Sequence, residues 1–63
     1  MEKNLTFKLV RETKGTFVFQ ELKEGTEEIA KLEEMIVGTL YIRKSALNPE
    51  EKPQKVEITL KTI

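Results

Sequence analysis

An α+β fold, a four-stranded mainly antiparallel sheet with one short helix on one face, follows from three features of the sequence. Apolar residues alternate with polar ones in four separate runs, the spacing of a strand with one buried face. Between the second and third runs the apolar spacing widens to three and four residues, the period of a helix. The chain has 63 residues, enough for a single small domain spanning 1–63 and one layer of core.

The first run places Leu5, Phe7 and Leu9 on one side and Thr6, Lys8 and Val10 on the other. The polar stretch Arg11-Glu12-Thr13-Lys14-Gly15 then reads as a short hairpin connection with a bulge, ending in a residue that accepts a positive φ. Thr16-Phe17-Val18-Phe19-Gln20 returns as the second strand, with Phe17 and Phe19 inward and Thr16, Val18 and Gln20 outward. Lys23-Glu24-Gly25 breaks that alternation. Thr26 stands where a helix N-cap would, and Glu27 and Glu28 suit the positive end of a helix dipole. Ile29, Leu32, Met35 and Ile36 form the apolar stripe of a helix over 26–36. A helix this short depends on packing, and without it the segment would be an acidic loop.

Gly38, Leu40 and Ile42 alternate with Val37, Thr39, Tyr41 and Arg43 as the third strand, Gly38 marking a bulge or a close backbone approach. The polar stretch from Asn48 to Pro53 holds both prolines and reads as a loop. Val56, Ile58 and Leu60, alternating with Lys55, Glu57, Thr59 and Lys61, make the fourth strand. Parity therefore assigns Leu5, Phe7, Leu9, Phe17, Phe19, Leu40, Ile42, Val56, Ile58 and Leu60 to the core, joined by Ile29, Leu32 and Met35 from the helix.

Two words, Glu12-Thr13-Lys14-Gly15-Thr16 and Gly38-Thr39-Leu40-Tyr41-Ile42-Arg43-Lys44-Ser45-Ala46-Leu47, resemble a family of short uncharacterised bacterial and phage proteins, over most of the chain. In that family the segment between the words varies in length, and the resemblance implies no activity, cofactor or catalytic residue. The run from Gly38 to Lys44 with the later Lys55-Val56-Glu57-Ile58 is also similar to swapped-hairpin transcription factors, departing where Arg43 stands in place of their usual Pro.

Composition excludes several chemistries. With no Cys and no His, neither a thiol nucleophile nor a Ser–His pair exists, and a zinc site lacks its usual ligands. All eleven acidic residues are Glu, which removes the calcium-binding EF-hand loop, and Gly15, Gly25 and Gly38 are too far apart to cradle a phosphate. Glu27, Glu28, Glu33 and Glu34 read as a solvated face, not a catalytic carboxylate pair. The chain is thus expected to be non-enzymatic, with no cofactor, metal or small-molecule substrate. No apolar run reaches the length of a membrane span, and the first residues lack the apolar core of a secretory signal, so a cytoplasmic location is expected.

The eleven cations and eleven carboxylates cancel in sum but not in position. Residues 21–34 hold six Glu and two Lys, while the segments on either side each carry two more cations than carboxylates. The outward face of the sheet accordingly offers one aromatic among cations: Tyr41 and Arg43, with Lys8 and Lys61 expected on neighbouring strands. A ring among cations can stack a base while the cations meet phosphates, so single-stranded nucleic acid is the first expected partner. The pI of 6.3 is lower than such binders usually show. The competing expectation is a protein-interaction or assembly subunit, where Tyr, Arg and Val18 would anchor an interface. Without disulfide or metal to supplement so small a core, self-association as a homodimer is expected in either case.

Overall fold

A computed structural model describes residues 2–47, 50 and 53–63. Four strands form one sheet: β1 (Glu2–Glu12), β2 (Thr16–Glu21), β3 (Thr39–Arg43) and β4 (Lys55–Lys61). Every pairing is antiparallel and the spatial order is β3-β2-β1-β4. Three successive strands are therefore neighbours, and the fourth returns to lie beside the first, which is the Greek key arrangement. Residues 44–54 join one edge of the sheet to the other, and Leu47 within that connection packs on the core. The proline-containing loop read at 48–53 falls largely outside the described residues.

Period-two alternation fixes which side chains meet. Phe7 stands opposite Glu21 on β2 and Val56 on β4, Leu9 opposite Phe19, and Phe19 opposite Leu40. Leu5, Phe7, Phe17 and Phe19 form the buried cluster, with Leu9, Leu40, Ile42, Leu47, Val56 and Ile58 packed around it, while Leu60 is half-buried. No second sheet or α-helix covers this face among the described residues. Enclosure comes instead from apolar residues of the edge strands and from Leu47, which close around three phenylalanines that are almost wholly buried.

The helix over 26–36 is not formed, so the domain is mainly β, with two isolated 3-10 turns at Leu32–Glu34 and Lys44–Ala46. Its capping chemistry is present but spent on a turn: the Thr26 hydroxyl donates to the Lys23 carbonyl at 2.9 Å and accepts from the Glu28 N–H at 3.2 Å. The next groups pair with β2 rather than with each other. Lys23 N–H donates to Glu28 O at 2.7 Å, Ala30 N–H to Glu21 O at 2.9 Å, and Leu22 bridges Ile29. Those bonds remove the donors and acceptors a helical ladder would need. Ile29 and Ile36 consequently stand exposed, Met35 is half-buried and Leu32 is 86% exposed; Leu22 and Ala30 are buried in their place.

Two further expectations change. The bulge lies in β1, where the register slips between Leu9 and Arg11 and leaves Val10 as the extra residue. Gly15 has no positive φ. The left-handed glycines are Gly25 at φ 76° and Gly38 at φ 95°, both in the β2–β3 connection.

Candidate binding face

The side of the sheet opposite the core carries the residues singled out for binding. Tyr41, on edge strand β3, is 63% exposed, and Arg43 lies two residues further on the same face, also exposed. Their expected companions are elsewhere. β3 pairs only with β2, so neither Lys8 nor Lys61 neighbours it. Lys8 lies on β1 in the row Thr39, Gln20, Lys8, Lys55, two strands from β3. Lys61 lies opposite Glu2 at the far end of β4, roughly 25–30 Å from Tyr41 by strand geometry. The reason is the Greek key return, which puts β4 beside β1 at the edge away from β3.

The cation that does approach Tyr41 was not among those expected. Tyr41 is opposite Val18, and Val18 is opposite Arg11, so Arg11 lies two strands over in the same row, roughly 10 Å away. The bulge is responsible. Val10 takes the outward side by alternation with Leu9, and the register slip turns Arg11 to that side as well. Val18 is only 2% exposed, although it faces away from the main core. A signal existed in the sequence, since Val10-Arg11 follows a clean alternating run and breaks its parity.

Of the charged strand residues on this face, Lys8, Arg11, Arg43, Lys55 and Lys61 are cations and Glu2 and Glu57 are carboxylates. Lys55 is paired with Glu27 from the β2–β3 connection. Asn4 and Thr59 form a polar cross-strand pair, the hydroxyl donating to Asn4 Oδ1 at 2.9 Å. Lys8, Arg11, Arg43 and Lys61 make no ion pair among the described residues.

The two words that carried the family resemblance are in contact. Lys44 N–H donates to Gly15 O at 2.9 Å, Thr16 pairs with Arg43, and the Lys44 ammonium sits 3.1 Å from Glu12 Oε1 and 5.3 Å from the centre of the Phe17 ring. This fastens the β1–β2 turn to the end of β3 and holds the Tyr41 strand in place. The chain matches no protein-family profile, no curated protein and no solved structure. Its functional reading therefore rests on geometry.

A second built feature lies at the other end of the sheet. Glu21 continues the inward parity of Phe17 and Phe19 and is 3% exposed. Its Oε1 accepts the successive N–H groups of Ile36, Val37 and Gly38 at 2.9, 2.8 and 3.0 Å, and Oε2 accepts the Ile36 N–H again at 3.1 Å. Burial alone would raise this carboxyl's pKa. The three N–H groups, of Val37, Gly38 and Ile36, with the Lys3 charge, outweigh that and hold it below the ordinary value. Beside it opens a cleft of about 320 Å³ lined by Lys3, Leu5, Lys23, Glu34, Ile36 and Lys55 among others. Lys23 and Glu34 form an ion pair at 3.6 Å at its wall. No group of three or more carboxylates is placed to hold a metal ion among the described residues, and no helix there is long and apolar enough to cross a membrane.

Proposed function

We propose that this chain is a small non-enzymatic binding module whose open sheet face associates with single-stranded nucleic acid. Tyr41 is the stacking platform, and Arg43, Arg11 and Lys8 meet the phosphates around it. Lys61 lies too far away to share a short strand with Tyr41 and contributes only to a strand running the length of the face. The observation that carries the reading is a cation-rich face around one exposed aromatic ring: five strand cations against the strand carboxylates Glu2 and Glu57, with Glu27 of the connection neutralising Lys55.

A titration of labelled single-stranded DNA and RNA at several salt concentrations tests it. Tyr41→Ala should weaken binding by roughly ten- to a hundredfold, the worth of one stacked base. Arg43→Ala and Arg11→Ala should each lower the slope of log affinity against log salt by about 0.7, the loss of one phosphate contact on a single strand. Absence of binding near 20 mM salt, on the order of the regime where phosphate contacts are strongest, would remove the proposal. The competing reading, a protein-interaction or assembly subunit, is favoured by the outer edges of β3 and β4, which pair with no other strand among the described residues, and by exposed Tyr41 and Val10. It would show as association with little salt dependence.

A further inference from the structure

The sheet has oppositely charged ends. Where β2 runs out into the long connection, residues 22–38 carry Glu24, Glu27, Glu28, Glu33 and Glu34 against Lys23 and Lys31. At the other end, among the described residues of the β1–β2 turn and the end of β3, the cations Arg11, Lys14, Arg43 and Lys44 outnumber the one carboxylate, Glu12. Each end also exposes apolar surface: Leu32 and Ile29 at the acidic end, Tyr41 and Val10 at the basic one. Within one molecule the two cannot meet. The Leu22–Ile29 bridge and the three N–H bonds to Glu21 anchor the acidic connection where it leaves the sheet, and the sheet cation it pairs with is Lys55. Glu24, Glu28 and Glu33, like Arg11, Lys14 and Arg43, make no ion pair among the described residues.

We infer that a second copy of this chain docks antiparallel to the first, the acidic connection of each lying against the basic end of the other. Complementary charge with apolar groups on both sides is what an interface between copies requires, and two such contacts related by a twofold axis close a dimer. The arrangement goes beyond the nucleic-acid reading and does not depend on it. It adds one consequence: the acidic connection and a nucleic acid would compete for the surface around Tyr41 and Arg11.

Sedimentation equilibrium at high micromolar protein and about 20 mM salt, where the screening length is roughly 20 Å, tests the contact with two charge-reversed variants. The wild type should approach twice its 7.3 kDa mass and fall back toward the monomer as salt is raised. E28K/E33K alone and R11E/R43E alone should both be monomeric and fold normally by circular dichroism, since these side chains are exposed. An equimolar mixture of the two should restore the dimer, with amide shifts mapping in both chains to 24–34, 11–16 and 39–43. A monomeric wild type, a dimer that survives either reversal alone, or shifts spread evenly over the surface would each overturn the inference. Nucleic-acid titration of E28K/E33K reports separately, because its basic face is intact: binding there with a monomeric wild type would sink the dimer and leave the nucleic-acid reading standing.

Discussion

Glu21 gives the connection between β2 and β3 its fixed point, through a buried carboxylate that accepts three consecutive backbone N–H groups. Charge-assisted hydrogen bonds of this kind depend on ionisation. Because the folded pKa lies below that of a free glutamate, the stability it confers is present above the free value and is lost as the pH falls through the lowered folded value. Thermal melts between pH 7 and pH 2 should show a decline below that value that Glu21→Gln lacks, and the variant should cost about 2–3 kcal/mol at neutral pH. At Phe19, truncation to Ala empties a fully enclosed site and should cost roughly 3–5 kcal/mol, enough to unfold a domain of this size. Parity alone would make Val18→Ala nearly silent. The structure buries Val18 in the row between Tyr41 and Arg11, so losing its two methyl groups should cost about 1–2 kcal/mol in a denaturant melt.

At the scale of elements, the four strands and their inward residues were legible because one buried face imposes a period of two, and Leu5, Phe7, Phe17 and Phe19 keep it. The connection between β2 and β3 was not, because its local signals support two structures. Thr26 followed by Glu27 and Glu28 reads as a helix start, yet the same hydroxyl closes a turn, and the hydrogen bonds from β2 decide between them. Glu21 was legible in principle, as a carboxylate on the inward parity, but nothing local named the N–H groups fifteen to seventeen residues away that satisfy it. Likewise, strand identity does not reveal strand order, which is why Lys8 and Lys61 were placed beside Tyr41. Gly38 offers a test of the connection. A Cβ there would meet only the Met35 sulfur at 3.7 Å, so Gly38→Ala is opposed by φ 95° and not by crowding. It should cost about 1–2 kcal/mol and loosen amide protection at 36–38 before the rest of the sheet.

For the molecule as a whole, the pairing of β1 with β4 brings residues as distant as Glu2 and Lys61 into register. Such a contact closes late, because loop-closure entropy must be overcome before the pairing contributes. β4 is the last strand of this sheet to be made, and until it pairs, Leu5 and Phe7 have one side of their strand unpaired. A chain truncated at residue 54 should be protease-sensitive and prone to aggregate, whereas one that includes β4 should show protection of β1 in limited proteolysis. The first strand of the sheet is thus completed by its last, and the whole sheet becomes available to fold at one point in the chain.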